Sequence, residues 1–201
     1  MSGEGAAVEL IDVVTSDGAA TGIVKPKPQI HRDGDWHLAA HLWIVTPNGR
    51  VLLQRRALTK ESWPGLWDVS VAGHVDAGER ARDAAVRESF EELGLRLDPL
   101  ELKHLGTLRY QAVLNGGAYL ENEFHEVFFV RLDVTLEALT LDPAEVAEVA
   151  LVTLDKLDAY ELVPHPESYA LLRAAMSRAA RSRRACGAAA ASAAEDLARN
   201  P

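Results

Sequence analysis

The first clear alternation of apolar and polar positions is Val8–Val14, which predicts a strand; the SDG that follows predicts the turn ending it. Lys25–Asp35 breaks the pattern with two prolines and a DGD run, and predicts a loop. His37–Val45 and Arg50–Arg56 are apolar-rich runs on either side of TPNG, the arrangement of a β-hairpin. Ala57–Leu66 predicts another loop and Trp67–Ala72 a short strand. The period then lengthens. Ala85, Val86, Ser89, Phe90 and Leu93 form one stripe of a helix over Arg80–Leu93, with Gly94 where a left-handed residue ends helices. Leu100–Leu114 and Tyr119–Leu132 bracket NGG as a second hairpin. Val146–Thr153 predicts a strand, Leu154–Glu161 a short helix and Glu167–Arg181 a longer one.

Composition narrows what this pattern can serve. The 201 residues suit one domain with a proper core. With 21 Lys and Arg against 30 Asp and Glu, the formal charge of −9 argues against a general nucleic-acid or anionic-membrane binder. A phosphorylated small molecule stays open, because a divalent cation inverts the local field. No apolar run approaches the roughly 18 residues of a membrane span. The N-terminal stretch shows neither the basic nor the apolar region of an export signal, and the single Cys186 fits a reducing compartment. The expectation is a cytoplasmic protein, with monomer and homodimer both open. Arg173, Arg178, Arg181, Arg183 and Arg184 precede the low-complexity run Ala185–Ala194, which reads as a terminal helix passing into a solvated tail.

The chemistry is densest after residue 70. Glu88, Glu91 and Glu92 stand at i, i+3 and i+4, so three carboxylates share one helix face. Alone, such a trio is more often a solvated face than a cation site. Its surroundings change that. Gly73, Glu79, Arg87, Glu88, Glu91, Glu92 and Gly94, with Leu95 after them, resemble in order and spacing the Nudix box G-x5-E-x7-R-E-U-x-E-E-x-G-U, where U is bulky and aliphatic. Every fixed letter is present; the one departure is Ser89 at the first U. The resemblance implies a hydrolase of diphosphates using Mg²⁺, with Mn²⁺ as a substitute. It makes Glu91 and Glu92 metal ligands helped by the Gly73 carbonyl, Glu88 a ligand or base, and Arg87 and Glu79 the residues that orient them.

Residues 36–74 and the ENEFHEVFFV of 121–130 are similar to isopentenyl-diphosphate isomerases and their hydrolase relatives. The implied fold is α+β, an α/β/α sandwich with a mixed central β-sheet flanked by helices. Residues 1–35 would form an N-terminal strand region and loop of the same domain, 36–165 the core, and 166–201 a C-terminal helix and Ala-rich tail. The resemblance also implies a second site at His31, His37, His74, Glu121 and Glu123, a donor set suited to Mn²⁺ or Zn²⁺. The cysteine that serves the isomerases precedes their Gly-His pair, and here that position is Ala72. Hydrolysis by water attack is therefore the leading expectation. An isomerase-like protein and a non-catalytic diphosphate- or nucleotide-binding module remain the alternatives.

Arg55, Arg56 and Lys60 are candidates to grip a distal phosphate, with a solvated role equally open. Trp63 and Trp67 suit stacking on a ligand or, more often, packing of their own loop. Glu145 and Glu148 precede a strand where either could add a ligand or base.

Overall fold

The computed structural model describes residues 8–178. Strands β1 (Leu10–Val14) and β2 (Ala20–Pro26) pair antiparallel as a separate hairpin. The segment expected as a loop over Lys25–Asp35 instead completes β2 and forms a two-turn helix, α1 (Lys27–Asp33). Its proline lies in the first turn, where the missing N–H is not needed, and Gly34 ends it in the left-handed region at φ 71°.

The main sheet has seven strands: β3 (His37–Val45), β4 (Arg50–Arg56), β5 (Trp67–Asp68), β6 (Val71–His74), β7 (Lys103–Leu114), β8 (Tyr119–Arg131) and β9 (Val146–Thr153). It is mixed, since β3 and β8 run parallel while the other pairs are antiparallel. The β7–β8 hairpin forms as expected around Asn115–Gly117. The other expected hairpin closes at its turn but opens at once, with β3 and β4 paired only at Val45 and Val51. The edge of β3 from Ala39 to Leu42 is taken by β6, and β4 pairs along its length with β9. Ser70 fills the gap where the strands part: its hydroxyl accepts from the Ile44 N–H at 2.8 Å and donates to the Leu52 carbonyl at 2.6 Å. Two buried backbone groups are thereby satisfied without a ladder. The strand expected over Trp67–Ala72 is thus split in two, with Ser70 at the break.

Helix α2 (Ala81–Leu93) places Ala84, Ala85 and Leu93 on the even-numbered face of β3 and β8, against Ala40, Leu42, Ile44, Phe128 and Val130. Gly94 ends it at φ 70°, its N–H returning to Phe90 while the Leu95 N–H reaches Ser89. The 154–161 region forms a 3₁₀ helix, Leu154–Ala159. The chain divides into two units, one ending at His165 and one beginning at Pro166; in the second, residues 166–178 are helical. Cys186, the Ala-rich run and Arg181, Arg183 and Arg184 lie outside the described residues. No helix among the described residues is long and apolar enough to cross a membrane.

Candidate active site

A cavity of about 800 Å³ opens beside the β6–α2 junction, and Gly73, His74, Arg87, Glu88, Glu91 and Glu92 all line it. β6 brings Gly73 directly under Glu88. A Cβ on Gly73 would lie 2.0 Å from the Glu88 carboxyl carbon, so the glycine is required by close approach, and its backbone needs no left-handed angle. The turn that leads from β6 to α2 takes its left-handed residue at Gly78 instead.

Arg87 organises the carboxylates around it. Its guanidinium donates to Glu79 at 3.1 and 2.9 Å, Glu88 at 2.7 Å, Glu91 at 2.9 Å and the His74 carbonyl at 2.9 Å. Arg87 and Glu79 are thus paired, and so many acceptors on one side chain call for a planar, multi-donor group. Glu92 is buried on the other side of Glu88, accepting from Gln54 Nε2 at 3.2 Å and the Ala72 N–H at 3.3 Å. Burial, followed by the Glu88 charge, pushes the Glu92 carboxyl well up; burial does the same to Glu88, moderated by Arg87. Glu91 stays half-exposed at the rim. Three acceptors meet with one cation holding two of them, a donor set that fits a hard divalent ion.

The second expected site assembles from four elements. α1 supplies His31, β3 His37, β6 His74 and β8 Glu123, with ligand atoms all within 4.8 Å of one another. Parallel pairing sets His37 directly beside Glu123. The ring orientations are set from outside. His31 Nδ1 donates to the Leu120 carbonyl at 3.2 Å and His37 Nδ1 to the Asp35 carbonyl at 3.0 Å, so both Nε2 atoms are lone-pair acceptors directed inward. His37 Nε2 is buried without a hydrogen-bond partner, and His31 Nε2 faces His74 Nε2 at 3.1 Å. Burial, then the neighbouring His74 and His37, lowers His31 to about 3, so it is a neutral donor. Although burial would raise Glu123, the His125, His37 and His74 rings around it outweigh that and hold the carboxyl well below its usual range. An unpartnered inward lone pair beside a carboxylate fits a bound cation.

Glu121, the fifth residue expected here, shares the strand face but lies apart from the four. It accepts from Trp63 Nε1 at 3.2 Å, and burial with the Glu123 charge lifts it to about 7. Sequence reading missed Glu9, whose carboxylate pairs with His74 Nδ1 at 3.4 Å and Lys27 at 2.8 Å, orienting the histidine from behind. It also missed His41, His125 and His165, three buried histidines with ring nitrogens within 4.8 Å of one another. Strand alternation carried that signal: His41 follows His37 by four and His125 follows Glu123 by two, each on the same face.

Among the cation candidates, Arg56 lines the cavity but is committed to Asp68 at 3.0 Å and to the Ser62 carbonyl and hydroxyl at 2.9 Å each. Lys60 lines the wall, paired with Glu145. Arg55 lies outside the lining; it donates to the Gly65 carbonyl at 2.9 Å and meets Glu148 at 3.5 Å, which also removes Glu148 from the cavity. Trp63 forms part of the wall, while Trp67 packs edge-on against Tyr160 at 5.0 Å.

The NUDIX domain model matches residues 35–172. Nudix hydrolase 3 of Arabidopsis thaliana is 41% identical over 153 residues, covering 75% of this chain and 20% of that protein, so this chain spans a fifth of its length. The isopentenyl-diphosphate Delta-isomerase of Cutibacterium acnes is 39% identical over 158 residues, 77% of each. Among solved structures, DR0079 from Deinococcus radiodurans has a TM-score of 0.61 at 24% identity, covering 82% of this chain and 98% of that one, a likeness of fold.

Proposed function

The chain belongs to the Nudix family, and on that premise we propose a hydrolase that splits a phosphoanhydride in an organic diphosphate, nucleoside di- and triphosphate derivatives included, by attack of water with Mg²⁺ bound. The observation that carries this reading is Glu88 seated on Gly73 in the cavity wall, with Glu92 beside it and Arg87 holding Glu79, Glu88 and Glu91 in one array. Glu88, Glu91, Glu92 and the Gly73 carbonyl would hold the ion, with Mn²⁺ as the expected substitute. When bound, such an ion neutralises phosphate charge and acidifies water.

The protein's own groups do the rest. Arg87 is spent on carboxylates, so it keeps the array from turning when an anionic substrate enters. Glu88 and Glu92, both with raised proton affinity, are the groups able to take the proton of the attacking water. Lys60 reaches the same wall and can exchange Glu145 for a terminal phosphate, while Arg56 holds the loop in place through Ser62.

Release of phosphate or pyrophosphate should be measured with Mg²⁺ across nucleoside di- and triphosphates, nucleotide sugars, thiamine diphosphate and isoprenoid diphosphates. On the best substrate, Glu92→Gln and Glu88→Gln should each lower kcat by roughly 10²–10⁴-fold with the fold retained. Undiminished turnover in Glu92→Gln overturns the assignment. The Ala72 methyl offers no proton where the isomerases have their cysteine, so isopentenyl diphosphate incubated in D₂O should gain no deuterium.

A further inference from the structure

We propose that His41, His125 and His165 form an additional divalent-cation site, separate from the His31–His37–His74–Glu123 cluster and suited to Zn²⁺ or Co²⁺. The three residues come from β3, β8 and the segment after β9, and all are buried. His41 and His125 stack at 3.9 Å between centroids, and His165 meets them at 5.1 and 4.9 Å. Two of their ring nitrogens lack a partner in the protein. His41 Nδ1 and His165 Nδ1 are both buried without a hydrogen-bond partner, which is costly for any polar group removed from water. Two orphaned nitrogens in a cluster of three imidazoles mark a place where something electrophilic sits.

The third ring is prepared for ligation. His125 Nε2 bonds to Glu123 Oε2 at 2.7 Å. That contact consumes one ring nitrogen and leaves the other as the donor, the carboxylate–histidine–metal arrangement in which the carboxylate sets the tautomer and raises ligand basicity. The Arg56 guanidinium acts on the cluster, and the buried Asp68 carboxylate holds it at 3.0 Å. Asp68 offsets part of its charge, and Glu123 adds negative field at His41 and His165.

Donor chemistry separates this site from the glutamate array. Three imidazole ligands favour Zn²⁺ and Co²⁺, whereas Mg²⁺ takes oxygen. His41 and His165 line the cavity, so an ion reaches them from it, and water or a phosphate oxygen completes a tetrahedral shell. Glu123 touches both histidine clusters through its two oxygens, making the sites neighbours joined by one carboxylate.

The test uses the full chain, stripped of metal and titrated with Co²⁺ and Zn²⁺. Four-coordinate Co²⁺ absorbs strongly in the visible, and elemental analysis gives bound Zn²⁺ per chain. His41→Gln and His165→Gln should each remove one equivalent of Zn²⁺ and the corresponding Co²⁺ band, while His74→Gln leaves that band in place. Equal metal content and spectrum in wild type and both variants overturns the site. Crystals of the unaltered protein grown with Zn²⁺ decide the matter without any variant. An anomalous peak at the zinc edge among the three rings supports the site, and none there overturns it. Neither readout depends on hydrolysis, so failure here leaves the hydrolase reading standing.

Discussion

Gly73 shows how a single atom governs the site. An added methyl would overlap the Glu88 carboxylate at 2.0 Å and would have to push it out of the array that Arg87 holds. Misplacing a reacting group by about 1 Å costs on the order of 100-fold in rate. Gly73→Ala should therefore lower kcat by about 100-fold. Because the residue needs no left-handed angle, the melting temperature should change little. Near-normal kinetics would show that Glu88 has room to move. This residue was legible in the sequence through its motif, but its reason was not: periodicity cannot say which side chain lies over a glycine. Glu9 was hidden for the same cause, since only the β1–β2 hairpin brings it behind His74.

At the scale of elements, legibility followed burial pattern. α2 and β8 announced themselves through their repeat: α2 buries Ala85, Ser89 and Leu93 at helical spacing, and β8 alternates buried and half-buried positions from Tyr119 to Val127. β2 did not, because five of its seven residues are exposed and nothing alternates. α1 was masked by its proline, which reads as a breaker yet is harmless in a first turn. The contribution of His165 to the histidine cluster was illegible too, as it requires knowing how the chain after β9 returns to the sheet. Ser89 is a test of element packing. It is fully buried, its hydroxyl donating to the Ala85 carbonyl at 2.6 Å, where the family pattern has a bulky aliphatic residue. A leucine there adds volume to a fully buried position, so Ser89→Leu should destabilise by about 1–3 kcal/mol, although it restores the motif. Thermal unfolding would read this; an unchanged or higher melting temperature would mean that the site kept space for the larger residue.

For the molecule as a whole, charge and connectivity point the same way. The cations lining the cavity are Lys27, Arg56, Lys60 and Arg87, facing more than twice as many carboxylates. The excess negative charge is concentrated where a metal–diphosphate complex would bind, and without metal those groups repel. The proposed ligands also come from distant parts of the sequence: His31 on α1, His37 and His41 on β3, His74 on β6, three glutamates on α2, and Glu123 and His125 on β8. An ion bound to them ties these elements together in the folded state only, and by mass action stabilises it by about 2.7 kcal/mol at 100 times its dissociation constant. At roughly 2–4 °C per kcal/mol for a chain of this size, divalent metal should raise the melting temperature by about 5–10 °C. Chelation should reverse the rise, and NaCl at matched ionic strength should not reproduce it, because screening relieves exposed charges far more than buried ones. Glu123→Gln separates the contributions: losing the carboxylate shared by the two histidine clusters should abolish most of the Zn²⁺ response while leaving the Mg²⁺ response of the α2 glutamates. Equal loss of both would mean that the three groups of ligands act as one site.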